Sequence, residues 1–291
     1  MSRGEDGGCV NKLFKFGLGL MGRLGDANIG LTAAGVAFYS MLAVFPGISA
    51  VIAIWTAFAD PAGIQAYLAV ADDFIPPEAY QILNEQIQMW LSQPDTSIGF
   101  GTVVSLAFTL FSARAGVGAL VLGLNVIHGT KTRNTIWSIL FAYFMTCSLV
   151  GVMLTALATI VIVPVVVNFL PFHAVTDLML SGLPWVAMLL LMLSALGILY
   201  RYGPNTKTET REPFFTYGAL VAALAWGVVS LGLTFYLSNF ANYSAVYGSI
   251  GAVIALLMWL YLSALAVLLG AAFNAQLAEH RAQSNSANTT K

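Results

Sequence analysis

Arg114 is the residue whose type and position point most directly to chemistry. It is the one charged residue within residues 99–127, a mostly apolar run long enough to cross the hydrocarbon core of a membrane. An arginine inside a membrane span is costly, and its default interpretation is a functional site with a partner. The planar guanidinium fork fits a carboxylate or a phosphate. We therefore predict that Arg114 contacts a lipid headgroup or an anionic substrate.

Six further polar residues are candidate contacts for a substrate or a lipid. Three are predicted near Arg114 on the cytoplasmic half of the membrane, and three at the outer mouth of the last two spans. Each has an ordinary alternative role, as an interhelical hydrogen-bond partner or as a core or interfacial aromatic residue. The inner set is Ser112, Asn125 and Asn274, and the outer set is Tyr243, Tyr247 and Asn242.

Prolines and glycines inside the apolar runs predict breaks in the helices. A break exposes backbone carbonyls that a neighbour or a cavity must satisfy, and transporters often place binding sites there. About 20 residues cross the hydrocarbon core, so a span that begins near Gly99 ends near Ala119, and the glycines after Arg114 suggest a bend there. This places Arg114 in the cytoplasmic third, from where its side chain can snorkel to the interface. The candidate break residues are Pro46, Gly47, Gly116, Gly118 and Pro164.

The composition places these residues in a membrane protein. The chain is 58% hydrophobic and only 9% charged, whereas soluble domains carry about 25% charged residues. We predict an all-α fold, an integral membrane bundle of six transmembrane helices within residues 27–278. The predicted spans cover residues 29–58, 99–126, 135–165, 179–200, 214–237 and 245–277.

Three polar segments flank or interrupt the predicted bundle. Residues 1–26 contain an amphipathic helix at 10–25, with apolar residues on one face and basic residues on the other. Residues 60–98 carry six acidic residues and no Lys or Arg. Their pattern predicts an extracytoplasmic helical lid between spans one and two, with a solvated loop as the alternative. Residues 279–291 are predicted to be a disordered tail.

The distribution of basic residues predicts the orientation. With six spans, every Lys and Arg except Arg114 falls in segments on one side of the membrane. Basic residues near spans mark the cytoplasmic side. We therefore predict that both termini are cytoplasmic.

Several enzyme classes fit the sequence poorly. Metal-dependent phosphodiester cleavage needs converging carboxylates or histidines, but the cytoplasmic acids are scattered over the tails and one loop. The two cysteines form no zinc-binding spacing, and the glycines at 99–101 are not followed by the GK[ST] of a phosphate loop. With a net charge of −1, there is no basic field for nucleic acid. We expect no enzyme activity, metal, cofactor or nucleic-acid partner.

Four stretches now identify a family resemblance: AAGVAFYSMLAVFPGI, FSARAGVGALVLGLNVIHG, YRYGPN and NFANYSAVYGSIGAVIALLMWLYLSALAVLLGAAFNAQL. They resemble the YihY/BrkB family of bacterial inner-membrane proteins, once labelled ribonuclease BN, over residues 31–277. The resemblance implies six helices in the cytoplasmic membrane and cytoplasmic termini. It does not supply an activity.

Two functions remain for a membrane bundle of this kind. The first is a transporter or translocator of an amphipathic or anionic substrate, with lipids included. The alternative is a membrane scaffold or lipid-organising protein without transport, because the basic N-terminal helix suits contact with anionic lipid. Membrane lipids are partners in both cases, and the sequence leaves open whether the chain forms a homo-oligomer.

Overall fold

The computed structural model describes residues 6–58, 100–168, 173–206, 211–239 and 249–289, and all regular secondary structure among them is α-helical. This confirms the all-α prediction. The helices are α1 Asp6–Asp26, α2 Ile29–Phe58, α3 Phe100–Ile127, α4 Thr135–Asn168, α5 His173–Tyr202, α6 Tyr217–Asn239 and α7 Ser249–Thr289.

The described residues contain four segments that are long and apolar enough to cross a membrane, or five if a bent pair of helices counts as one span. Helices lie at all six predicted span positions, but the first and fourth are represented only in part. The first contributes Ile29–Val44, which is bent by 52° from Lys15–Asp26, and the fourth contributes the shorter apolar helix Val186–Tyr202. The four segments are Val103–Ile127, Thr135–Val152, Tyr217–Leu237 and Val253–Gln283.

The predicted breaks do not interrupt the helices. α2 runs through Pro46, α3 through Gly116 and Gly118, and α4 through residue 164. A membrane helix tolerates proline where neighbouring groups satisfy the carbonyl that loses its donor. A Cβ on Gly47 would lie 3.2 Å from the Cγ2 of Thr109 in α3. Gly47 therefore serves the close approach of two helices.

Two predictions about the flanking segments have different outcomes. α7 continues to Thr289, so the prediction of disorder is wrong for residues 279–289. The predicted lid at 60–98 lies outside the described residues.

Among the residues whose burial the structure describes, the core lies at one end of the bundle, where α1, α3 and α5 end and α2, α4 and α6 begin. We refer to it as the packed end. Its members are mainly leucine and alanine side chains from α2, α3, α5, α6 and α7. Small residues let the helices approach closely, which is how membrane helices gain packing energy. At the closest point, a Cβ on Gly218 in α6 would overlap the carbonyl oxygen of Gly270 in α7.

α1 is docked on the packed end. The guanidinium of Arg23 donates to Gln276 Oε1 at 2.9 Å and to the carbonyl of Ile127 at 2.8 Å, and it pairs with Glu279. Leu20 and Leu24 pack against the core. The predicted N-terminal helix is therefore present, and its basic Arg23 faces protein groups.

Candidate functional site

Arg114 lies in the middle of α3. The helix has 28 residues, which at 1.5 Å per residue span about 42 Å. Arg114 precedes Ile127 by 13 positions, or about 20 Å along the axis. The prediction of a cytoplasmic-third position depended on a span that ends near Ala119. α3 continues without interruption to Ile127, and the depth of Arg114 in the membrane stays a prediction.

The guanidinium of Arg114 is directed towards α4. Its Cζ lies 5.6 Å from the ring centroid of Tyr143, within the range of a cation–π contact. Its Nε is buried and has no hydrogen-bond partner among the described residues. A buried donor without a partner costs about 1–3 kcal/mol, and more on a charged group. The Nε–H group of Arg114 can therefore donate a hydrogen bond to an additional acceptor.

The three inner candidate residues do not surround Arg114. Ser112 is 1% exposed, but residues two apart on a helix do not share a face. Asn125 follows Arg114 by 11 positions, about 17 Å along α3. Asn274 binds the loop before α6 instead, as described below. The predicted grouping of Ser112, Asn125 and Asn274 beside Arg114 is therefore wrong.

Asn125 organises the turn after α3. Its Oδ1 accepts hydrogen bonds from Thr130 Oγ1 at 2.9 Å and from the backbone N–H of Asn205 at 2.8 Å. Asn205 in turn donates from Nδ2 to the carbonyl of Lys131 at 3.0 Å. Asn125 thus joins the α3–α4 turn to the end of α5.

The turn itself is a Schellman motif. Thr130 N–H donates to the Asn125 carbonyl at 2.8 Å, and Gly129 N–H donates to the Val126 carbonyl at 3.0 Å. Gly129 has φ +63°, a left-handed conformation that glycine adopts without a steric penalty. The remaining carbonyls of the last turn also have partners, because Leu124 accepts from His128 and Ile127 from Arg23.

Asn274 uses its whole side-chain amide to join α7 to the start of α6. Its Oδ1 accepts from the backbone N–H of Gly218 at 2.7 Å, and its Nδ2 donates to Thr216 Oγ1 at 2.8 Å and Glu212 Oε2 at 2.6 Å. Thr216 is the N-cap of α6, since its Oγ1 also accepts from Ala219 N–H at 3.1 Å. These bonds give Asn274 a structural role.

His128 completes this polar cluster. Its Nδ1 lies 2.9 Å from the carbonyl of Leu124, and because a carbonyl only accepts, Nδ1 carries a proton. Its Nε2 lies 3.3 Å from Glu212 Oε1, and the two side chains are only 10% and 15% exposed. A hydrogen bond here requires one proton, held by Nε2 or by the carboxyl group. We call His128, Glu212, Thr216 and Asn274 the loop cluster.

A family model described as "Virulence factor BrkB" matches residues 20–291. The chain belongs to the BrkB family. The family resemblance seen in the sequence is thus confirmed, and the BrkB chain is a multi-pass bacterial membrane protein.

Relatives of this BrkB chain carry little functional information in their names. A relative from Bacillus subtilis (strain 168), named "Putative ribonuclease-like protein YfkH", is 31% identical over 251 residues, covering 84% of this chain and 88% of the relative. A UPF0761 membrane protein of Alteromonas mediterranea is 28% identical over 268 residues, covering 88% and 85%. One from Aeromonas salmonicida is 27% identical over 257 residues, covering 86% and 84%. No solved structure matches the chain.

Sequence reasoning missed the loop cluster of this BrkB protein. The sequence alone does not bring His128 and Glu212 together, because 84 positions separate them. The available signal was Thr216, a typical N-cap residue before an apolar helix. The outer candidates Tyr243, Tyr247 and Asn242 lie outside the described residues, and their predicted roles stay predictions.

Proposed function

We propose that this chain is a translocator of an anionic amphiphile, most simply a membrane lipid with a phosphate headgroup. Arg114 is the residue that contacts the anion. The observation that carries the proposal is its buried Nε, which has no hydrogen-bond partner in the described part of the chain.

The position of Arg114 supports a role during passage across the membrane. It lies at the centre of a candidate span, about 20 Å from the helix end. A residue needed only to anchor the protein at the surface has no reason to occupy this depth, where a charge is most costly. The Tyr143 ring lies 5.6 Å from the guanidinium. This cation–π contact stabilises the charge of Arg114 when no anion is present.

The asparagines of the inner set support this assignment by contrast. The side chains of Asn125 and Asn274 are engaged in bonds within the protein. Their use by a substrate would break the turns that hold the packed end together. Arg114 has a donor that can gain a partner without such a loss.

The proposed topology has six spans in the bacterial inner membrane, with both termini in the cytoplasm. It places the packed end on the cytoplasmic side. The last turn of α5 carries Arg201 there, and the segments after α3 and α5 carry Lys131, Arg133 and Arg211. Reporter fusions after residues 70 and 131 test it. We expect the fusion after 70 to report the outer side and the fusion after 131 the cytoplasm, and the reverse pattern would overturn the topology.

Transport itself is tested with the purified full-length protein in proteoliposomes. The measurement is the rate at which fluorescently labelled phosphatidylglycerol and phosphatidylcholine of the same acyl composition change leaflets. We expect the protein to accelerate transfer of the anionic lipid more than that of the zwitterionic lipid. Rates equal to those of protein-free vesicles for both lipids would overturn the proposal and favour the scaffold.

The same proposal assigns a transport function and no catalytic one. A relative bears the words "ribonuclease-like" in its name, but RNA cleavage would need a cluster of metal-binding or acid–base residues next to a basic surface. The loop cluster offers one carboxylate and one imidazole, each engaged by neighbouring protein groups.

A further inference from the structure

A group of arginines surrounds Tyr202 at the end of α5. Arg133 donates to the carbonyls of Gly203 at 2.9 Å and Tyr202 at 3.1 Å. The Cζ atoms of Arg201 and Arg211 lie 5.8 Å and 5.6 Å from the centroid of the Tyr202 ring. Three guanidinium groups thus gather around one residue, in a protein with only 12 basic residues.

The positive charge of this group is not neutralised by the described acidic residues. The ion pairs formed in the described ranges join Arg23 to Glu279 and His128 to Glu212, and leave these arginines out. Arg201 reaches Glu212 only through its backbone carbonyl, at 3.1 Å. Burial and the nearby charge of Arg211 lower the pKa of Arg133. Among the described residues the local charge is therefore positive, and an anion would relieve the repulsion between Arg133 and Arg211.

An open groove of about 390 Å³ lies beside this charge. The Arg133 guanidinium stacks on the ring of Phe141, with Cζ 3.7 Å from the centroid, so its plane borders the groove. Exposed apolar side chains continue from the groove along α4, with Trp137 65% and Phe144 64% exposed. The groove is lined by Arg133, Asn134, Trp137, Phe141 and Asn205.

We propose that this groove binds the headgroup of an anionic phospholipid at the membrane interface. The phosphate occupies the positive end beside Arg133 and Arg211, and an acyl chain follows Trp137 and Phe144 along α4. Charge complementarity selects an anion, and the adjoining apolar track selects a lipid over a free phosphate. The position of Trp137 agrees with the preference of tryptophan for the membrane interface.

This lipid site is separate from the anion contact proposed for Arg114. Arg114 contacts Tyr143, whereas the groove is lined by Phe141. Residues two apart on a helix point to different sides, so the two sites use different faces of α4. The groove also includes Arg133 and Asn134 before the start of α4, whereas Arg114 lies 13 positions before the end of α3.

The test compares two double variants with the same loss of charge. Lys131→Gln/Arg211→Gln removes two exposed cations beside the groove, because the Lys131 carbonyl accepts from the lining residue Asn205 and the charge of Arg211 acts on Arg133. It spares Arg133, which caps α5. Lys15→Gln/Arg281→Gln removes two exposed cations from α1 and α7. Binding of phosphatidylglycerol and phosphatidylcholine with matched acyl chains is measured on the full-length protein in detergent by native mass spectrometry, with inorganic phosphate as a competitor.

We expect wild type and the Lys15→Gln/Arg281→Gln variant to retain phosphatidylglycerol equally. The Lys131→Gln/Arg211→Gln variant should bind it about tenfold more weakly, since each basic residue near a headgroup contributes to attraction. Equal binding of the two lipids by wild type, equal losses in both double variants, or displacement by inorganic phosphate would each overturn the proposal.

Discussion

Asn274 donates a hydrogen bond of 2.6 Å from Nδ2 to Oε2 of Glu212, and so ties α7 to the loop before α6. The same carboxyl group faces His128. Glu212→Ala leaves the Asn274 amide and the His128 ring without this partner in a mostly buried place. We expect the unfolding free energy to fall by about 2–3 kcal/mol, measured by denaturant unfolding in detergent.

Glu279→Ala is the matched control for this prediction. Glu279 also pairs with a cation, Arg23, but its side chain is 47% exposed. An exposed pair contributes about 0–1 kcal/mol. Similar losses for the two variants would show that the loop cluster is not a buried structural joint.

The contact between Gly218 and Gly270 predicts a strong sensitivity to one added methyl group. A Cβ on either residue would overlap the backbone carbonyl of the other. Gly218→Ala must therefore separate α6 from α7, and we expect a loss of about 1–3 kcal/mol, as for other overpacked sites. Gly227→Ala on the same helix meets no atom within 4 Å and should not destabilise the protein. Equal effects in thermal unfolding would contradict the backbone contact.

Substitutions of Gly129 test the turn after α3 without changing any packing. A Cβ there meets no atom within 4 Å, but the residue has φ +63°. We expect Gly129→Ala to destabilise the protein by about 1 kcal/mol, and Gly129→Asn to cost less because asparagine tolerates this conformation. The measurement is the unfolding midpoint of wild type, Gly129→Ala and Gly129→Asn. Equal values for the three would argue against the Schellman turn.

The contacts of Arg23 lead to a prediction about how strongly α1 is held against the rest of the bundle. Its guanidinium contacts Gln276, Glu279 and the end of α3. We expect Arg23→Ala to increase amide hydrogen exchange in α1 at least several-fold, because these joints to the bundle are lost. Lys15→Ala, an exposed position on the same helix, is the control. Unchanged exchange in α1 would mean that apolar packing alone holds it.

The sequence predicted the helices well because the signal is local. Apolar runs separated by charged turns mark where helices occur, and α2 covers the residues predicted for the first span. Pro46 and Gly47 were misread because their local preference for a break competes with helix packing. At Gly47 the close approach of Thr109 explains the glycine.

The candidate site was less predictable because it depends on contacts between distant residues. Asn274 was predicted as a substrate or lipid contact, whereas its amide binds protein partners that lie 56 to 62 positions away. The Gly-Val-Gly triplet after Arg114 predicts a bend, whereas α3 continues without interruption to Ile127. A Cβ on Gly116 would contact Ser40 and Tyr39 of α2, so packing accounts for this residue too.

The most direct test of the proposed function is the rate of phosphatidylglycerol transfer between leaflets in proteoliposomes that contain Arg114→Ala. Arg281→Ala, an exposed arginine in α7, is the matched control, and folding of each variant is checked by its unfolding midpoint. We predict that Arg114→Ala lowers the rate about tenfold or more, because a hydrogen bond to a charged group is lost. Arg114→Lys should retain an intermediate rate. Transfer by Arg114→Ala at the wild-type rate would contradict the account.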